Sequence, residues 1–427
     1  MKFYNNPEKS SWNQLTLRPS MEQTILAEGV KTIMQDVERN GDAAILRHTQ
    51  LLDGCTLDAL EVTEEELNQA EISDELAKAI DQAYANIEIF HQSQLLEEPK
   101  VETTPGVTCW RKSVPIEKVG LYIPGGSAPL FSTILMLGIP AKLAGCKEIV
   151  LCTPPNKNGE INPAILYTAK RVGITKMFKV GGAQAIAAMT SGTASIPAVS
   201  KIFGPGNQYV TKAKELAMEK GVGIDMPAGP SELLVLADKN ANPTFVAADL
   251  LSQAEHGADS QVILVSNDVL LVDRVNACIQ EQLTELPRKD IAQKALDNSL
   301  SIVFNDLETC LEFSNAYAPE HLIINTDNSE ALGNRVINAG SVFLGNYSCE
   351  SAGDYASGTN HTLPTNGYAR NYSGVSMDSF VRKITYQEIT EDGMRTLGPT
   401  IELMAEAEEL QAHKNAVTVR LKELNND

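Results

Sequence analysis

The feature that most constrains this chain is a recurring unit: a short apolar run that ends in glycine or proline and then gives way to a helix-like stretch. Val119-Gly-Leu-Tyr-Ile123 runs into Pro124-Gly-Gly126, and residues 133–144 follow with helical spacing. Glu148-Ile-Val-Leu-Cys152 ends at Thr153-Pro-Pro155 before a helix over 164–172. Lys176-Met-Phe-Lys-Val180 meets Gly181-Gly182, and Lys201-Ile-Phe203 opens onto Gly204-Pro-Gly-Asn207. A run that is apolar on both faces needs cover on both, and intervening helices make successive strands parallel. A second series follows: Glu232-Leu-Leu-Val-Leu-Ala237, Gln261-Val-Ile-Leu-Val265, Ser301-Ile-Val-Phe304, His321-Leu-Ile-Ile-Asn325 and Ser341-Val-Phe-Leu344. Within it, Asn242-Pro243 reads as a cap with proline in the first turn of a helix that runs to His256 and stops at Gly257.

The expectation is an α/β fold of two Rossmann-like parallel-sheet domains, with a helical N-terminal region and a C-terminal helical arm. Apolar residues at three-to-four spacing over 25–37 and 76–95 give the first, and an amphipathic helix over 401–424 gives the second. The domains expected are 1–112, a helical region packing with the second α/β domain; 113–231, the first Rossmann-like domain; 232–384, the second; and 385–427, the arm.

A chain of 427 residues buries several cores, and 43% apolar with 21% charged residues describes an ordinary globular protein. The net charge of −20 repels a nucleic-acid backbone or an anionic membrane, so neither is expected as a partner. Met1-Lys-Phe-Tyr-Asn-Asn-Pro-Glu8 contains no apolar stretch of the kind a secretory signal needs, and no run is long enough to cross a bilayer. The seven cysteines are scattered without a C-x-x-C pair, which argues for reduced thiols and a cytoplasmic location.

Only six histidines occur, and three sit in polar clusters: Gln253-Ala-Glu-His256, Pro319-Glu-His321 and Ala412-His413-Lys-Asn415. Gln253 and His256, three apart near a helix end, project from one face and offer an oxygen and a nitrogen. Asp354, in the loop Ser351-Ala-Gly-Asp354, offers a hard oxygen, and His413 a second nitrogen. Two nitrogens and two oxygens match an open catalytic zinc site better than a closed structural one. Taken singly, each histidine fits a polar surface loop better than a metal site, and His256 also fits a helix end. Glu320 and His321 follow Pro319 at a loop-to-strand junction and supply two separate proton-transfer groups if the backbone bends to bring them together.

Four glycine-rich turns, at Pro124-Gly-Gly126, Gly181-Gly-Ala-Gln184, Gly204-Pro-Gly-Asn207 and Pro227-Ala-Gly-Pro230, let backbone N–H groups approach a phosphate. Each alone is equally a plain chain reversal, and Gly204-x-Gly206 has Tyr209 where a dinucleotide fingerprint has glycine. Tyr122, Gln184 and Asn207 stand beside these turns with groups able to bond a nucleotide.

Seven segments carry a further resemblance: Gly120-Leu-Tyr-Ile-Pro-Gly-Gly-Ser-Ala-Pro-Leu-Phe131, Val180-Gly-Gly-Ala-Gln-Ala-Ile186, Phe203-Gly-Pro-Gly-Asn207, Asp225-Met-Pro-Ala-Gly-Pro-Ser231, Leu251-Ser-Gln-Ala-Glu-His-Gly257, Ala318-Pro-Glu-His-Leu322 and Ala412-His-Lys-Asn-Ala-Val417. In order and in register, they resemble the histidinol dehydrogenase family from about residue 20 to 420. The resemblance implies an aldehyde-dehydrogenase-like arrangement of the two domains. It also implies a zinc-dependent enzyme that converts L-histidinol to L-histidine through L-histidinal, with two NAD used in turn, as the last steps of histidine biosynthesis. It implies one zinc per subunit, held by Gln253, His256, Asp354 and His413. It makes Glu320 and His321 the general bases, and Tyr122, Gln184 and Asn207 the NAD contacts. Ser231, His361 and Glu408 join Gln253, His256, Glu320, His321, Asp354 and His413 in binding substrate. It further implies a homodimer whose C-terminal arm crosses to the partner, so that His413 and Glu408 serve the other subunit's site. Helical spacing gives Glu408 no independent support, since Glu409, not Glu408, lies one turn before His413. The rival chemistry for zinc with glutamate and histidine is hydrolysis of a small amide.

Overall fold

The computed structural model describes residues 1–18, 23–95, 97–125, 128–174, 176–227 and 229–425. Parts of two glycine turns, Gly126 with Ser127 and Ala228, lie outside the described residues.

Two parallel sheets form, as the alternation requires. The first has the spatial order Lys176–Lys179, Glu148–Thr153, Lys118–Tyr122, Lys201–Phe203, Gly223–Ile224, and every neighbouring pair is parallel. Chain order therefore reverses between Lys118–Tyr122 and Lys201–Phe203, and such a switch point opens a crevice beyond the carboxyl ends of the two strands. Tyr122 closes one of those strands, and the turn beginning at Gly204 follows the other.

The second sheet is wound the same way, in the order Lys2–Asn5, Leu300–Val303, Gln261–Ser266, Glu232–Ala237, His321–Asn325, Ser341–Leu344. Glu232–Ala237, Gln261–Ser266 and His321–Asn325 are buried along their whole length, which is why they read as unbroken apolar runs. His321 pairs with Leu233 and with Ser341, so it stands at the amino end of its strand.

Residues 1–112 do not all pack with the second domain as expected. Lys2–Asn5 joins that sheet beside Leu300–Val303. The helix Gln23–Leu52, kinked at Gly41, packs instead on Gly182–Ser191 and Gln208–Glu219 of the first domain. Its Val30, Met34, Val37 and Ile45 fill the same core as Ile186 and Ala213. Asp74–Gln92 packs on Ser132–Ala144, also of the first domain. Periodicity marks an apolar face, but only the available partner decides where it is buried.

A ribbon of Val381–Ile389 against Val107–Pro115, edged by Val101–Thr104, runs antiparallel and crosses the expected divisions at 112/113 and 384/385. Beyond it, the expected helix over 401–424 is two helices, Glu391–Ala407 and Gln411–Leu424, packed on each other. The break falls where Glu409 takes a left-handed φ of 60°.

Candidate active site

The two expected proton-transfer residues are brought together by a bend. The helix Leu307–Tyr317 ends at Ala318 in the left-handed region, φ 56°, an unusual place for a residue with a Cβ. Pro319 follows, then Glu320 and His321, both buried. Their facing atoms, Glu320 Oε2 and His321 Nδ1, are 3.6 Å apart. One residue's main chain holds them both: the N–H of Glu232 donates to Glu320 Oε2 at 2.9 Å, and the carbonyl of Glu232 lies 3.2 Å from His321 Nδ1. A carbonyl only accepts, so Nδ1 carries a hydrogen and Nε2 is the nitrogen that gains or loses the second proton. Nε2 is buried, has no hydrogen-bond partner, and lies 3.6 Å from Asp354 Oδ1.

Burial pushes the Glu320 carboxyl up to about 8, against the pull of His321 and the Glu232 N–H. Burial works to lower the His321 imidazole, but Glu320, Glu350 and Asp354 around it more than offset this and hold it up to about 10. The first shift comes chiefly from loss of water around the carboxyl, and the second from the carboxylates that surround the ring.

The Glu232 side chain is anchored from the other direction. Arg18 Nε and Nη2 donate to its two oxygens at 3.0 and 2.9 Å, and the guanidinium stacks on Tyr317 at 3.7 Å. The Arg18 and Glu232 side chains are 9% and 2% exposed, so the pair is buried and bidentate.

Among the described residues, His256, Glu350 and Asp354 form a group that could hold a metal ion, their donor atoms all within 4.8 Å of one another. His256 sits just past the helix Pro243–Ala254, whose last turn carries Gln253. Gln253 is fully buried, yet neither its amide oxygen nor its nitrogen has a partner. Asp354 is not in a loop, as its glycine and serine neighbours suggest, but on the helix Glu350–Tyr355. Its carbonyl takes a hydrogen bond from His361 Nδ1 at 2.8 Å, while His361 Nε2 reaches Thr133 Oγ1 of the first domain at 3.1 Å. One imidazole, two carboxylates and an orphaned amide fit a divalent ion such as zinc, whose usual donors are of these types.

At the switch point of the first sheet, the Tyr122 hydroxyl accepts the N–H of Gly182 at 3.1 Å. Burial pushes that phenol up to about 12. Gln184 beside it is 1% exposed with both amide atoms unpartnered. Gly204, at φ 127°, runs so close to the Tyr122 carbonyl that a Cβ there would collide with it. Its N–H is held by Asp225 Oδ2 at 2.8 Å and its carbonyl by Lys214 Nζ at 2.9 Å, and Lys214 pairs with Asp225. Asn207 caps the helix Gln208–Glu219, accepting the N–H groups of Tyr209 and Val210 at 3.1 and 3.2 Å. That helix end, the close turn and the orphaned Gln184 amide fit an anionic dinucleotide.

The two halves meet. A cavity of about 290 Å³ is lined by Gly204, Asn207 and Ser231 of the first domain and by His256, Glu320 and His361 of the second. It lies outside the carboxyl ends of the first sheet and at the amino ends of the second.

The arm is different. His413 is exposed on Gln411–Leu424, Glu408 is exposed at the break, and neither belongs to the group formed by His256, Glu350 and Asp354.

A profile of the histidinol dehydrogenase family matches residues 16–421. The chain belongs to the histidinol dehydrogenase family. A histidinol dehydrogenase from Bacteroides thetaiotaomicron is 60% identical over 99% of this chain and 100% of its own length. One from Aliivibrio fischeri is 52% identical over 95% of this chain and 93% of its own. The crystal structure of the histidinol dehydrogenase from Elizabethkingia anophelis is 58% identical, covers 100% of this chain and 99% of its own, and superposes with a TM-score of 0.97. This chain is thus an oxidoreductase of histidine biosynthesis.

Within this histidinol dehydrogenase fold, three groups escaped the sequence reading. Glu350 stands four residues before Asp354 and would have shown as a one-face pair had 350–355 read as helix. Arg18 with Glu232, and Lys214 with Asp225, carried no signal, since neither pair has a spacing that one helix or strand brings together and both are made only by folding.

Proposed function

We propose that this protein oxidises L-histidinol to L-histidine through L-histidinal, using zinc and two NAD, as a cytoplasmic homodimer. What supports this above all is His321: its tautomer is set by the Glu232 carbonyl, and its unpartnered Nε2 stands beside Asp354. Gln253, His256 and Asp354 would hold zinc, with His413 delivered by the crossing arm of the other subunit. An ion bound there would supply Lewis-acid anchoring for the substrate and would offset the negative charge around His321. Tyr122, Gln184 and Asn207 would hold NAD, the hydride acceptor of both oxidations.

The chain's own residues then divide the proton work. His321 Nε2 takes the hydroxyl proton of the alcohol. Glu320, tied to the Glu232 N–H, takes a proton from the water that adds to the aldehyde. Ser231, His361 and Glu408 complete the substrate's surroundings. The cavity between the domains keeps the aldehyde from solvent between the two steps. Membership of an oxidoreductase family displaces amide hydrolysis. Among the described residues, no helix is long and apolar enough to cross a membrane.

Purified protein given histidinol and NAD should form two NADH per histidine, and a chelator should stop both oxidations. Accumulation of aldehyde with one NADH would overturn the single-site reading.

A further inference from the structure

Glu350 has no part in the chemistry above, yet it occupies the centre of the site. Its carboxylate is 1% exposed, and neither oxygen has a hydrogen-bond partner. An ionised carboxylate buried in this way is costly unless a cation lies against it. The groups that face it are His321, 4.0 Å from Oε1, the carboxylates Asp354, Glu320 and Asp249, and His256. Three further carboxylates against two imidazoles is an arrangement short of positive charge.

The geometry shows where that charge belongs. Glu350 and Asp354 are one turn apart on Glu350–Tyr355 and present oxygens to the same imidazole. Two donors each about 2.1 Å from one ion lie at most ~4.2 Å apart, so the 4.8 Å group closes on an ion with a small side-chain movement. The buried, unpartnered amide of Gln253 stands on the helix Pro243–Ala254, which packs on Glu350–Tyr355. His413, in contrast, is exposed on the arm and outside the group.

We infer that Glu350 is a metal-capturing residue: with Gln253, His256 and Asp354 it gives each chain a complete donor set, so one subunit takes up a divalent cation without His413. The arm's histidine then displaces Glu350 from an ion already in place. This inference rests on the zinc-site reading of Gln253, His256 and Asp354.

Its test is a titration of the metal-free, full-length protein with Co²⁺, followed by visible absorption. A His413→Ala chain should bind one equivalent, with a Kd raised by no more than about tenfold. Adding Glu350→Gln, which is isosteric and removes only the charge, should raise that Kd a further hundredfold or so. Should the double variant melt early without metal, Glu350→Asp in the His413→Ala chain serves in its place, with a changed Co²⁺ spectrum expected. Equal Kd values with and without the Glu350 change, or an unchanged spectrum for Glu350→Asp, would overturn the inference. So would loss of all binding on His413→Ala alone. A His256→Ala chain separates the two readings: if it binds Co²⁺ normally, the site itself is misassigned. If it loses the ion while Glu350→Gln keeps it, only the role of Glu350 falls.

Discussion

The carboxylate of Glu320 accepts the backbone N–H of Glu232 at 2.9 Å, a bond between residues 88 apart in the chain. The carbonyl of that same residue fixes the His321 imidazole. A single strand residue therefore orients both Glu320 and His321 through its main chain, leaving its side chain free to be held by Arg18. Changes to the Glu232 side chain and changes to the Glu320–His321 pair should have separable effects.

The division of labour predicts opposite failures. His321→Asn should lower histidinol oxidation by about 10²- to 10⁴-fold and spare oxidation of supplied histidinal. Glu320→Gln should spare the first and depress the second by a similar factor. Stopped-flow NADH formation from each substrate measures this, and equal losses in both steps for either variant would sink it.

Arg18→Met strands a buried carboxylate, because Arg18 is the cation on Glu232. The expected cost is about 3–5 kcal/mol in urea unfolding. Adding Glu232→Gln should restore half or more, since the main-chain bonds to Glu320 and His321 remain. A single variant as stable as the unmodified chain would mean that the pair contributes nothing.

Gly204→Ala puts a Cβ into the Tyr122 carbonyl at a φ of 127° that alanine resists. The turn must shift, and the KM for NAD should rise at least tenfold, on the order of 1.4 kcal/mol, while that for histidinol changes little. Steady-state kinetics with each substrate varied in turn would show it. Parallel rises in both constants would place the fault in general stability instead.

His413 and Glu408 are exposed on the arm, so a site completed across two subunits predicts complementation. His413→Ala and His256→Ala chains, each inactive alone, should regain up to about one full site's activity per mixed dimer after co-refolding, roughly half that of the unmodified dimer. Confirmed heterodimers without activity would restrict each site to a single chain.

Alternating apolar runs and glycine turns determined the two parallel sheets by themselves, because a strand buried on both faces leaves an unbroken apolar signature and its crossover helix a periodic one. The polar clusters around the scarce histidines separately offered Gln253, His256, Glu320 and His321 as candidates, and a glycine- and serine-flanked acid offered Asp354. What they left undecided depended on contacts between distant residues. Whether the first helices covered one sheet or the other turned on which apolar surface lay open. Asp354 read as loop because glycine and serine beside it disfavour helix locally, whereas packing imposed one and brought Glu350 onto the same face. The continuous arm helix failed at Glu409, whose left-handed backbone no local propensity foretells. The site itself, an amino edge of one sheet set against the carboxyl edge of another, exists only once both domains are folded and docked. Local sequence fixes which face of an element is apolar; only the tertiary structure fixes what that face, and the polar residues at its ends, will meet.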